Sequence, residues 1–162
     1  MNKLILTILA ISLSAASFAN DLHGKVVAVI DGNTLQIVCQ NDETHIVQLM
    51  GIDSPELSQE YGEQSKKYLE KIALGKKVRV RIEAKDWRGN PLAVVMVSGK
   101  RDLRIKLLEE GLAWTSEKNP LPVLEKCRKR AENKAMGLWK QSNPTPPWTY
   151  RRQQSMLEPK TS

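Results

Sequence analysis

Residues 25–50 read KVVAVIDGNTLQIVCQNDETHIVQLM, and the fold turns on how that stretch is divided. Residues 25–30 are short and rich in β-branched side chains, which suits a strand. Asp31-Gly32-Asn33 is a turn signal. In Thr34–Cys39, Leu35, Ile37 and Cys39 share one face at the period of a strand. Asn41-Asp42 turns the chain again, and residues 45–50 make a third strand. Three short strands joined by tight polar turns predict a meander.

The chain then reads GIDSPE over residues 51–56. Asp53 and Glu56, three apart around a Ser-Pro, repel each other and add nothing to a core, so negative oxygen is wanted nearby. Residues 54–62 are a loop. Residues 63–73 carry Leu69, Ile72 and Ala73 at helical spacing, and Gly75 stops that helix. Val78, Val80 and Ile82 alternate with Arg79 and Arg81 in a half-buried strand. Residues 86–90 are a hairpin tip, and 92–97 a fifth strand. A helix over 102–110 is closed by Gly111, and a last helix opens at Asn119-Pro120-Leu121-Pro122 and runs to about residue 135. The tail, NPTPPWTYRRQQ, is Pro-rich and reads as extended, folded back on the body. Short strands with helices inserted late do not make alternating βαβ units. They predict a five-stranded β-barrel of the oligonucleotide-binding (OB-fold) type with three helices, an α+β architecture.

The first residues stand apart. Lys3, the apolar run 4–13 and Ser17-Phe18-Ala19 form a secretory signal peptide over residues 1–19. The domain is expected over 20–152 and a flexible tail over 153–162. The expectation is an exported protein, in the periplasm or secreted, monomeric, and free of the membrane once the leader is cut. The formal charge of +7 suits an anionic partner such as nucleic acid. Cys39 and Cys127 are either a disulfide or two buried thiols, since both lie on inward faces. Two cysteines and two histidines offer no zinc pattern and no catalytic thiol.

Six pieces in order, VVAVIDGNTL, VQLMGIDSPE, YGEQSKKYL, DWRGNPLAVVMVSG, LLEEGLAW and GLWKQSNPTPPWTYR, resemble the staphylococcal nuclease (thermonuclease) family across essentially all of residues 24–152. The closing piece resembles its exported bacterial branch. The resemblance implies calcium-dependent hydrolysis of DNA or RNA phosphodiesters. It places Asp53, the Ser54 carbonyl and the Asn33 position at the Ca²⁺, and makes Glu56 the group that orients or deprotonates the attacking water. Independently, Asp31, Asn33, Asp53 and Glu56 sit on turns at the ends of neighbouring strands, and such clustered oxygens suit a hard divalent cation. The plainer alternative is an Asx turn at Asp31 and Asn33, with Asp53 capping its loop.

Three positions depart from the family pattern. Asn33 replaces a carboxylate and weakens the expected metal site. Gln48 and Asn90 stand where the family carries the arginines that grip the phosphate. Losing one preorganised donor typically costs about 3–4 kcal/mol, so the enzyme reading carries reduced or altered activity. Arg88, two residues before Asn90, is a surrogate for that grip. Trp87, beside Lys85 and Arg88, either stacks on a base or packs against the barrel mouth. Trp114 and Trp139 read as core, and Lys126, Arg128, Lys129 and Arg130 as a solvated charge run. Two functions follow: a nuclease built on Glu56, Asp53, Asn33 and Ser54, with Gln48, Asn90, Trp87 and Lys85 at the substrate; or a degenerate module that binds nucleic acid without cutting it. A structural part of an envelope assembly has no positive support.

Overall fold

The computed structural model describes residues 21–157. The expected leader over 1–19 lies outside them, as do residues 158–162 of the expected tail. In chain order the elements are β1 (Leu22–Val29), β2 (Thr34–Cys39), β3 (Thr44–Leu49), β4 (Ile52–Asp53), α1 (Gly62–Ala73), β5 (Lys77–Lys85), β6 (Pro91–Val97), β7 (Arg101–Asp102), α2 (Leu103–Glu109), β8 (Trp114–Thr115), α3 (Pro122–Asn133), a 3₁₀ turn (Gly137–Lys140) and α4 (Pro147–Leu157).

The meander forms as expected: β1 pairs antiparallel with β2, and β2 with β3. β1 starts earlier than the sequence indicated because Leu22 to Lys25 pair with Val80 to Lys77 on β5. β5 and β6 make the hairpin whose tip is 86–90. β6 then lies parallel to β3, with Gln48 opposite Leu92 and Leu49 opposite Ala93. That pairing closes a five-stranded mixed barrel in the order β3-β2-β1-β5-β6. Register shifts between Val26 and Ala28, and between Ile82 and Ala84, let the strands coil into it.

Inward side chains of alternate strand positions fill the barrel: Val26, Leu35, Ile37, Val47, Val80 and Val95 are all essentially buried. Leu69 of α1, Leu107 and Leu108 of α2, and Leu124 of α3 cover it. Each such side chain contributes about 1.5–3 kcal/mol by leaving water. Asp102 caps α2 by accepting the Arg104 N–H, so that helix begins one residue later than expected. Cys39 and Cys127 are both free and buried, which settles the alternative left open by the sequence in favour of two thiols. No helix among the described residues is long and apolar enough to cross a membrane.

Two expectations need correction. The tail is not extended: residues 147–157 form α4, a fourth helix where three were expected. Pro147 sits in its first turn, where a missing N–H costs nothing. The Pro146 carbonyl accepts from the N–H groups of Thr149 and Tyr150, and good helix formers follow. The charge run on α3 is also not wholly solvated. Arg128 is only 15% exposed, bonded to Glu125 and Glu132, and lies 5.2 Å from the Trp139 ring centre.

Candidate active site

The turn between β1 and β2 carries the first acid. The Asn33 N–H donates to Asp31 Oδ1 at 2.9 Å, so the Asx turn is present. Asn33 in turn accepts the Ser54 N–H on Oδ1 at 3.4 Å, and the Ser54 hydroxyl donates to the Gly32 carbonyl at 3.0 Å. These bonds tie the 31–34 turn to the GIDSPE segment. Gly32 permits the approach: a Cβ there would stand 2.6 Å from the Ser54 Cβ. A second close approach fixes Glu56, because a Cβ on Gly62 would stand 1.9 Å from the Glu56 carbonyl oxygen. The Glu56 N–H is held by Gln59 Oε1 at 2.8 Å.

Asp53 lies on β4, paired opposite Trp114 of β8. Trp114 meets Trp148 of α4 edge-on, with ring centres 5.7 Å apart. One turn along α4 from Trp148, on the same face, is Arg151. Its guanidinium spans both acids: Nη1 donates to Asp53 Oδ1 at 3.2 Å and to Glu56 Oε1 at 2.7 Å, and Nη2 to Asp53 Oδ2 at 2.7 Å. Glu56 Oε2 takes no hydrogen bond from the described residues.

These groups line a cleft of about 590 Å³ between GIDSPE, the hairpin tip and α4. It brings together Asn33, Gln48, Asp53, Ser54, Glu56, Trp87, Arg88 and Asn90, all expected from the sequence. Lys85 does not line it and lies exposed at the end of β5. Trp87 is 85% exposed, so it is not packed on the barrel mouth, and Arg88 lies over its ring at 4.5 Å. Asn90 is committed to the hairpin. Its N–H and its amide both donate to Asp86 at 2.8 Å, and the amide bond is the main cause that lowers the Asp86 carboxyl.

The cleft is acidic although the chain is basic. Asp31, Asp53, Glu56, Asp86 and Glu117 face Arg88 and Arg151. Burial pushes the Asp53 carboxyl up. The hydrogen bonds and charge of Arg151 oppose that, while Glu56 and Asp31 add to it, and the net direction is up. Arg151 is held more firmly charged by its bonds to Asp53 first, and then to Glu56.

A calcium ion needs about six to eight oxygen ligands. The residues do not fit one as they stand. Both Asp53 oxygens and one of Glu56 already accept from Arg151, and the Asn33 amide oxygen is spent on Ser54. Among the described residues no group of three or more His, Cys, Asp or Glu side chains is placed to hold a metal ion.

Arg151 is the residue that sequence reasoning missed. Its only signal was two arginines in a tail folded back on the body; reading that tail as extended gave no face on which to align Trp148 and Arg151.

The family model described as Staphylococcal nuclease homologue matches residues 46–141. An uncharacterized endonuclease of Escherichia coli O157:H7 is 33% identical over 132 residues, covering 81% of this chain and 86% of that one. An uncharacterized endonuclease of Haemophilus influenzae is 33% identical over 133 residues, covering 82% of this chain and 74% of its own. The micrococcal nuclease of Shigella flexneri is 29% identical over 143 residues, with 82% of each chain covered.

Proposed function

The chain belongs to the staphylococcal nuclease homologue family, and from that premise we propose that it hydrolyses phosphodiester bonds of DNA or RNA in the cleft between the acid pair and the hairpin tip. The observation that carries this is Glu56. It is held at the cleft wall by Arg151 through one oxygen, while the other faces no protein donor among the described residues. That free oxygen takes a proton from a water molecule. The water oxygen bonds to phosphorus, the ester P–O bond breaks, and the departing oxygen takes a proton from solvent. Arg151 uses three of its five N–H donors on the acids. The two that remain, together with Arg88, supply hydrogen bonds to the phosphate oxygens. Trp87, exposed at the tip, gives a base a face to stack on.

The calcium ion implied by the resemblance has no prepared site while Arg151 holds both acids. Export to the periplasm or medium belongs to the same proposal and is supported by the leader-like sequence of residues 1–19.

A second reading, binding without cleavage, is favoured by one observation. At the two positions where arginines were expected, Gln48 is uncharged and the Asn90 amide is tied to Asp86. One experiment separates the two. The purified protein is incubated with single-stranded DNA and with RNA, in calcium and in chelator, beside Glu56→Ala. Cleavage that Glu56→Ala abolishes supports the nuclease. Salt-sensitive binding with intact oligonucleotide replaces it with the module. Neither cleavage nor binding ends both.

A further inference from the structure

α4 delivers a cation of the chain's own to the acid pair. The three Arg151 bonds fall on the oxygens that a metal ion would need, at 2.7, 2.7 and 3.2 Å. The helix that carries it is anchored separately. Tyr150 Oη and Ser58 Oγ share a hydrogen bond of 2.9 Å, Gln59 Nε2 donates to the Thr145 carbonyl at 3.1 Å, and Arg152 donates to Glu117 at 3.0 Å. A guanidinium that leaves the acids therefore stays tethered beside them at high effective concentration. It is also 49% exposed, so turning into water or toward a phosphate costs little burial, and such exposed pairs are weak enough for a divalent ion to contest.

We infer that Arg151 sets the cation affinity of the cleft: it is the resident counter-charge of Asp53 and Glu56, and an added divalent metal ion reaches those carboxylates only by displacing it. This rests on the reading of the cleft as the reaction site. The acids cannot serve both cations, since Arg151 uses both oxygens of Asp53 and one of Glu56. The apparent affinity for the metal is then the intrinsic one reduced by the fraction of time the acids stand free. A free fraction of about 10–30%, as a pair this exposed gives, weakens it about 3–10-fold. Displacement would free the guanidinium at the cleft wall, where a substrate phosphate is to be held.

The test needs no nucleic acid. Calcium binding is measured by calorimetry, and terbium(III) uptake by luminescence sensitised through the cleft tryptophans. The native protein is compared with Arg151→Ala, Arg151→Lys and Arg130→Ala, the last changing net charge equally at an exposed position of α3 outside the cleft lining. Arg151→Ala is expected to bind calcium roughly 3–10-fold more tightly, Arg151→Lys about twofold to threefold more tightly because an ammonium lacks the fork that bridges two carboxylates, and Arg130→Ala within about 1.5-fold of the native protein. Should Arg151→Ala fail to fold by circular dichroism, Arg151→Lys carries the test. Unchanged, weaker or absent calcium binding in the folded Arg151 variants overturns the inference, as does an equal gain in Arg130→Ala. Tighter binding in a protein that cuts nothing would leave the inference standing and sink the nuclease reading. Cleavage without competition would do the reverse.

Discussion

Arg128 on α3 and Arg151 on α4 each bridge two carboxylates, and the two bridges answer their surroundings in opposite ways. Arg128 takes Glu125 and Glu132 from its own helix, at spacings of three and four residues. Glu125 also accepts from the Thr115 hydroxyl at 2.7 Å. Here the hydrogen bonds win: chiefly through Arg128, the Glu125 carboxyl is lowered from 4.5 to about 2. Arg151 instead reaches across the fold to Asp53 and Glu56. There burial outweighs the same kind of partner, and the Asp53 carboxyl is raised. One cluster is a satisfied clasp that ties α3 to β8. The other holds an anion that its own arginine does not fully compensate, at the wall of a cleft. The two carboxylates are about equally exposed, 21% for Asp53 and 23% for Glu125, so their neighbours separate them: Glu56 and Asp31 crowd Asp53 with like charge, whereas the Thr115 hydroxyl and Lys129 add to Arg128 at Glu125.

Five substitutions sharpen or break that contrast, beginning with the largest effect. Glu56→Gln is expected to lower cleavage about 10²–10⁴-fold, the usual worth of a general base, with little change in melting temperature. If unfolding were the main result, the Arg151 cluster would be a second clasp.

Glu125→Gln is expected to act the other way, costing roughly 3 kcal/mol of stability at neutral pH from the shift of its carboxyl to about 2. That corresponds to a melting temperature lower by roughly 5–10 °C, with cleavage per folded molecule retained. The sign also carries a pH signature. A lowered carboxyl stabilises the fold above its unfolded value of 4.5, and that contribution drains away as pH falls through about 2. Asp53 runs opposite. Its raised carboxyl keeps a proton in the folded state after the unfolded chain has lost it, so stability falls as pH rises past 3.8. Thermal melts of Glu125→Gln and Asp53→Asn across acid pH should therefore deviate from the native curve in opposite directions. Deviations of one sign would erase the distinction.

Trp87→Ala should weaken binding of single-stranded oligonucleotides by about 1–3 kcal/mol and leave the fold untouched, since the ring is 85% exposed. Fluorescence anisotropy reads this directly. The smallest effect is the stability of Arg151→Ala, expected within about 1 kcal/mol of native because the guanidinium is half-exposed. A larger loss in chemical denaturation would make α4 a structural strap.

Much of the barrel was legible because alternation is a local property. Leu35, Ile37 and Cys39 announced their face, and the polar turns between strands announced the meander. Asp53 and Glu56 were legible because two acids beside a Ser-Pro have no reason to be in a core. Lys85 is absent from the cleft lining, because adjacency to Trp87 in the chain does not decide which side chains line the cleft. Arg128 was misjudged because a charge run looks solvated until Trp139, eleven residues on, is folded beneath it.

The sequence by itself determined the strands, their turns and the identity of the acids, because these depend on periodicities and residue types within a few positions. The tertiary structure alone decided which cation meets those acids. Asp53 and Arg151 stand 98 residues apart, and nothing local joins them. Their meeting needs β4 paired to β8, Trp114 set against Trp148, and a helix grown from Pro147 that turns Arg151 to the same face. Long-range charge pairing follows from packing, and packing is a property of the whole chain.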